Sequence, residues 1–150
     1  MKTKNKNKKG YTMLATIEDI VNIIPLYMEC LNIDDVRISD NLERFLYKHI
    51  EKDIFISCIY HEDDIISMAM LVTSTYLADK KLNTKDTKLG IIKNVYTAEE
   101  YRNRRFASGC INELLNYCAN NNVSVIAYES DKFEALFKEA KKLNLKSIIL

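Results

Sequence analysis

Apolar residues along the chain recur with two spacings, every third or fourth position in some segments and every second position in others, and the switches between them mark the elements. Residues 11–15 read as a short strand. Thr16, followed three residues later by Asp19, can cap a helix running toward Leu31, with Ile20, Ile23, Ile24, Tyr27 and Leu31 as its buried stripe. Pro25, the only proline, lacks an N–H and is expected to kink or interrupt that helix. The periodicity predicts a second helix over 40–52, capped by Ser39 or Asp40, with Leu42, Phe45, Leu46 and Ile50 on one face.

Segments 54–60 and 65–76 are rich in Ile, Val, Thr and Tyr and are joined by His61-Glu62-Asp63-Asp64, which predicts an antiparallel hairpin. A polar, lysine-rich loop over 77–87 precedes a strand over 88–96. Cys110, Ile111, Leu114 and Leu115 then make an amphipathic helix over 106–118, stopped by Asn120, Asn121 and Asn122, since Asn tolerates the left-handed conformation. A strand over 123–128, a helix over 133–143 carrying Phe133, Leu136, Phe137 and Ala140, and a last strand over 145–150 complete the order β-α-α-β-β-β-α-β-α-β. With no internal repeat, this is an α/β protein with one mixed sheet flanked by helices.

Composition narrows the function classes. A length of 150 residues predicts one domain, residues 11–150, behind a basic tail. That tail, residues 1–10, holds Lys2, Lys4, Lys6, Lys8 and Lys9 and nothing apolar after Met1, so it is expected to be disordered, and it lacks the apolar stretch of a secretion signal. Its five lysines exceed the whole formal net charge of +1, so the body is mildly acidic, which excludes a duplex nucleic-acid binder. The longest nearly apolar run, 65–72, is far shorter than the about 20 residues of a membrane-spanning helix. Cys30, Cys58, Cys110 and Cys118 fall in apolar segments without a C-x-x-C pair, which predicts buried reduced thiols and a cytoplasmic location. With only His49 and His61 and no cysteine patterned around them, no metal site is expected. Tyr47, Tyr60, Tyr76, Met68 and Met70 read as packing residues.

Chemistry concentrates in Asn94-Val95-Tyr96-Thr97-Ala98-Glu99-Glu100-Tyr101-Arg102-Asn103-Arg104-Arg105-Phe106-Ala107, where a strand passes through a short loop into a helix. N–H groups at a helix start have no intrahelical partner and lie at the positive end of the helix dipole, so they can hold a phosphate. Arg102, Arg104 and Arg105 add positive charge. The other reading of the same residues is a solvated basic turn balanced by Glu99 and Glu100.

The run NVYTAEEYRNRRFA resembles motif A of the GNAT superfamily of N-acetyltransferases, in which Arg or Gln, two residues, Gly, one residue and Gly or Ala follow the strand. Arg102 matches the first position and Ala107 the last, and the order of elements is that of the family over nearly the whole chain. The resemblance implies a mostly antiparallel sheet and acetyl-coenzyme A as cosubstrate. Arg102, Asn103, Arg104, Arg105, Phe106 and Ala107 would face its pyrophosphate, while Val95, Tyr96 and Thr97 would line its pantetheine and acetyl group. It further implies direct acetyl transfer to a primary amine of a small molecule or peptide, the thioester carbonyl being polarised by a backbone N–H near Val95 or Tyr96. Residues 32–39, with Asp34 and Asp35, would help select that amine; the other reading of the same residues is a solvated acidic loop.

Three positions depart from or stretch the pattern. The family's central Gly is Arg105 here, and if positive φ is required an L-residue costs roughly 1–2 kcal/mol there. The family's Tyr in the last helix aligns with Ala140, followed by Asn144 and Leu145, or in another register with Phe137, and neither supplies a hydroxyl. Glu129, after the strand over 123–128, is the best carboxylate for a general base, with Tyr128 and Tyr96 as polar alternatives, and its other reading is an exposed acid capping the following helix. These departures motivate a rival expectation, a non-catalytic acyl-coenzyme A binding or regulatory domain of the same fold. The exposed edge of the short final strand can pair with a second subunit, giving a homodimer.

Overall fold

Two long runs of Ile, Met, Val and Tyr make the centre of the sheet. The computed structural model describes residues 11–74, 88–128 and 137–149. In it the two runs are β2 (Ile54–His61) and β3 (Asp64–Ser74), paired antiparallel from Ile54↔Val72 to His61↔Asp64. Both are buried almost continuously rather than in alternation, because helices cover both faces of the sheet. β1 (Thr12–Leu14) joins β2 antiparallel, and β4 (Lys88–Thr97) joins β3 antiparallel. β5 (Val123–Tyr128) and β6 (Lys146–Ile149) are added parallel, giving the order β1-β2-β3-β4-β5-β6. The sheet is mixed and mostly antiparallel, as expected.

One face is covered by α1 (Ile20–Leu31) and α2 (Val36–His49), which bury Ile20, Ile23, Ile24 and Leu46 against Ile56, Cys58, Tyr60, Met68 and Met70. The other carries α3 (Phe106–Asn120) and α4 (Phe137–Lys142), where Cys110, Ile111, Leu114, Leu115 and Ala140 pack on Ala69, Leu71, Ile92, Ile126 and Tyr128. No helix of the described residues is long and apolar enough to cross a membrane.

Two helices differ from expectation. α1 runs through Pro25 as one element, preceded by a single 3-10 turn over Ile17–Asp19. The missing N–H leaves the carbonyl one turn back without its helical donor, and Val21 there is solvent-exposed, so water can take that place. α2 begins four residues earlier than predicted. Its cap is Asp35, in extended backbone, whose Oδ1 accepts the Arg37 N–H at 2.9 Å, so Ser39 and Asp40 lie inside the helix. Phe45 and Tyr47, expected to be buried, are each 44% exposed, and Phe45 packs instead on the His49 ring. The predicted start of the last helix, residues 133–136, lies outside the described residues, as do the tail 1–10, the loop 77–87 and Tyr76.

With three glycines in the chain, asparagine takes over left-handed positions. Asn32 (φ 56) closes α1, with its N–H on the Glu29 carbonyl and the Ile33 N–H on the Met28 carbonyl, both at 3.0 Å. Asn144 (φ 63) closes α4 in the same way, the Leu145 N–H reaching the Ala140 carbonyl at 2.9 Å. Asn122 (φ 61) follows α3, where the asparagine run predicts a stop.

The four cysteines are free, and Cys58, Cys110 and Cys118 are buried. Burial pushes the Cys110 and Cys118 thiols up to about 12. An unfolded thiol ionises near pH 8.5, whereas these keep their protons, so above that pH the native state binds more protons and stability falls as pH rises. Urea unfolding at pH 10 is expected to give a free energy lower than at pH 8 by about 2 kcal/mol for each of these two thiols. Replacing either by Ala should remove its share of the slope.

Candidate functional site

The site is built where β4 outruns its parallel neighbour. β5 pairs with β4 only over Lys88 to Ile92, ending at Tyr128, whereas β3 accompanies β4 to Thr97. Residues 93–97 therefore have β3 on one side and no strand on the other among the described residues. Met70 pairs with Lys93 and Met68 with Tyr96, so Asn94 and Val95 together face Ala69, and Asn94 takes φ 52. One extra residue in a ladder bends the strand and breaks its hydrogen bonding locally. Val95 packs on the α3 side and Tyr96 on the α1 side.

Buried polar contacts fix α3 beside this strand end. The Ser57 hydroxyl donates to the Cys110 carbonyl at 2.6 Å, Ser67 and Thr97 hydroxyls are 2.8 Å apart, and the Cys110 thiol reaches Ser67 at 3.8 Å. The connection from β4 to α3 makes one 3-10 turn over Glu99–Tyr101. It is tied back by Arg102, whose Nε donates to the Thr97 carbonyl at 2.9 Å and whose guanidinium stands 5.2 Å from the Tyr96 ring centre.

The start of α3 is unusual. Arg105 occupies the cap position in the left-handed region (φ 64, ψ 20), no side chain caps the helix, and the first turn carries no acid. Helices normally begin with Ser, Thr, Asp or Asn, whose oxygen accepts a free N–H, and they favour negative charge there. The first helical bond recorded at this end runs from the Gly109 N–H to the Arg105 carbonyl at 3.1 Å. The amides of Phe106, Ala107 and Ser108 precede it and have no intrahelical acceptor. Left-handed backbone at Arg105, and again at Asn103 (φ 65), supplies the turn that a glycine would make without strain.

Strand end, turn and helix start enclose a cleft of about 310 Å³ lined by Val95, Tyr96, Thr97, Arg102, Asn103, Arg105, Phe106 and Ala107, with Tyr101 and Ser108. All but one of the residues that the sequence assigns to cofactor binding thus meet at one opening. Arg104 is the exception, since its guanidinium lies 5.7 Å from the Tyr101 ring centre and it does not line the cleft. Sequence reasoning missed Tyr101 and Ser108, whose signal is only their adjacency to the motif. Glu129 lies outside the described residues. Ala140, at the position of the expected phenol, is fully buried.

On the α1 side the Tyr96 hydroxyl donates to Glu29 Oε2 at 3.0 Å. The Tyr96 pKa is raised, by desolvation first and then by the hydrogen bond to that carboxylate. Glu29 also lines a second cavity of about 220 Å³, between α1, the start of β3 and the β4–α3 connection.

The Acetyltransferase (GNAT) family model matches residues 18–145. No curated protein matches the chain in sequence. Among solved structures, a predicted acetyltransferase from Clostridium acetobutylicum, crystallised with acetyl-CoA, is 20% identical with a TM-score of 0.67, and the match covers 86% of each chain. Glucosamine-6-phosphate N-acetyltransferase from Arabidopsis thaliana is 14% identical, with a TM-score of 0.64 and coverage of 87% of this chain and 90% of that one. An aminoglycoside acetyltransferase from an uncultured soil metagenomic sample is 15% identical, with a TM-score of 0.64 and coverage of 93% of both. At these identities the structures speak for the fold, while the family model spans most of the chain. The protein belongs to the GNAT family of acetyltransferases.

Proposed function

We propose that the protein transfers an acetyl group from acetyl-CoA to a primary amine by direct attack, with the cleft between the β4 end and the α3 start as its cosubstrate site. The observation that carries this reading is the start of α3: free amides, no capping side chain, no acid and a cluster of arginines form a helix end suited to an anion. The donor set fits the cosubstrate. Amides of residues 106–108 and the Arg102 guanidinium would hold its pyrophosphate, since arginine pairs with phosphate oxygens in bidentate fashion. Val95 to Thr97, freed from β5, would carry its pantetheine arm, and acetyl-CoA supplies the activated acyl group. An amide at the bulge can donate to the carbonyl oxygen as charge develops there. Arg104, outside the cleft lining, contributes only long-range charge.

Acceptors of the class include an amino-sugar phosphate and aminoglycosides, named for the Arabidopsis and metagenomic neighbours, and a small-molecule or peptide amine remains the proposed acceptor class. Four free thiols support the reducing cytoplasm as its location. The rival reading, an acyl-CoA binding domain without catalysis, is favoured by buried Ala140 at the place of the expected phenol. Two measurements separate them. Acetyl-CoA at about 100 times its Kd should stabilise the protein by roughly 2.7 kcal/mol in a thermal melt; no shift at millimolar concentration removes both readings. Release of free thiol in the presence of primary amines identifies the enzyme, and a melt shift without thiol release identifies the binding domain.

Arg105 offers a sharper substitution. Glycine relieves the left-handed strain of about 1–2 kcal/mol and gives back roughly half through the looser unfolded chain. Arg105→Gly is therefore expected to raise stability by about 0.5–1 kcal/mol in urea and to leave acetyl-CoA affinity unchanged or tighter. A severe loss of affinity by titration calorimetry would show that the Arg105 guanidinium is itself a phosphate ligand.

A further inference from the structure

We propose that Glu29 selects a protonated amine as the acceptor and takes its proton, with Tyr96 as the residue that positions the carboxylate; this rests on the acetyl-transfer reading above. Tyr96 lines the cleft at the β4 end, Glu29 lines the cavity on the α1 side, and their hydrogen bond of 3.0 Å joins the two across 67 positions of sequence. Tyr101 lines both cavities, so they share a wall. The bond uses Oε2 of Glu29, and Oε1 has no hydrogen-bond partner among the described residues. Glu29 stands in the last turn of α1, where the helix dipole disfavours a carboxylate and no basic residue offsets it. Helix stability does not account for an acid there, whereas capture of a cation does. The other ionisable carboxylates lining the α1-side cavity are Asp64 and Glu100, and no lysine or arginine lines it.

In the step proposed, the entering ammonium gives one proton to the Glu29 carboxylate. The nitrogen lone pair then forms the C–N bond at the acetyl carbon, and the C–S bond breaks with its electron pair on sulphur. The second proton leaving nitrogen ends on the thiol, and Glu29 returns its proton to solvent. The chain thereby discriminates alkylamines, which arrive charged at neutral pH, from arylamines, which arrive neutral.

The test is thiol release from acetyl-CoA with a panel of alkyl diamines, amino sugars and peptides on one side and anilines on the other. Wild-type protein is expected to favour the alkylamines. Glu29→Gln should lower kcat on them about 100-fold, the lower end of what a general base contributes, and raise their KM, while the acetyl-CoA KM stays within about 2-fold. Tyr96→Phe should lower kcat less, about 10-fold, because the carboxylate is kept but no longer held. Glu29 is exposed, so an unaltered acetyl-CoA melt shift in Glu29→Gln checks that the fold survives. Undiminished alkylamine turnover in that variant, or a wild-type preference for anilines, overturns this proposal alone. A wild-type protein that acetylates no amine yet is stabilised by acetyl-CoA overturns the transferase reading with it.

Discussion

Arg102→Ala is expected to weaken acetyl-CoA binding about 100-fold while leaving the unliganded protein within about 1 kcal/mol of wild type. The side chain does two things at the cleft. Its Nε bond to the Thr97 carbonyl sets the course of the chain between β4 and α3, and its guanidinium brings full positive charge to the lining. Charge-assisted hydrogen bonds contribute about 1.5–3 kcal/mol each, and loss of about 2.8 kcal/mol corresponds to 100-fold in Kd. Arg102 is exposed, so its removal leaves no buried group stranded. Arg104→Ala is the matched control. It removes the same charge two residues away, from a side chain that does not line the cleft, and should cost less than about 3-fold. Titration calorimetry on both variants reads the difference, and equal losses would mean that net charge rather than the cleft holds the ligand.

The second large effect concerns stability. Asp19 is fully buried, and its carboxylate accepts the Tyr60 hydroxyl at 2.7 Å through Oδ1 and the Thr16 N–H at 2.8 Å through Oδ2. Asn22 donates to the same hydroxyl at 3.1 Å, which ties the start of α1 to β2 in the middle of the sheet. Burial and the neighbouring carboxylate push the Tyr60 pKa well above the usual tyrosine value, so the phenol stays a donor throughout the ordinary pH range. Asp19→Ala removes these bonds, and the longer one from the Thr16 hydroxyl at 3.3 Å, to a charged acceptor in a buried site and is expected to cost about 3 kcal/mol. For a domain of this size that is a fall in Tm of about 10 °C. Tyr60→Phe, which takes one donor away from that buried carboxylate, should cost about 1–3 kcal/mol. Urea unfolding of the two single variants and the double variant gives their coupling, and a cost for Asp19→Ala below 1 kcal/mol would show that the network contributes shape but little stability.

What could be read from the sequence follows from how local each signal is. The cleft was legible because nine of its lining residues lie within thirteen consecutive positions, from Val95 to Ala107, spanning one strand end, one turn and one helix start. The requirement for left-handed backbone at Arg105 could be posed as a condition and was met by φ 64. The bulge was not legible, since Asn94 in an otherwise apolar strand does not say how Met68 and Met70 will pair across it. The start of α2 was misplaced because Asp34, Asp35, Ser39 and Asp40 all offer capping oxygens, and only the extended backbone at Asp35 decides among them. The Glu29–Tyr96 pair joins residues 67 positions apart and depends on how α1 crosses the sheet, which periodicity does not specify.

The proposed acetyl-CoA site is one cleft, at the β4 end and the α3 start. A crystal structure of the protein with coenzyme A tests it most directly. Pyrophosphate oxygens are expected within hydrogen-bond distance of the amides of residues 106–108 and of the Arg102 guanidinium, with the pantetheine beside Val95 to Thr97. Coenzyme A seated elsewhere, or a pyrophosphate that touches none of these groups, would contradict it.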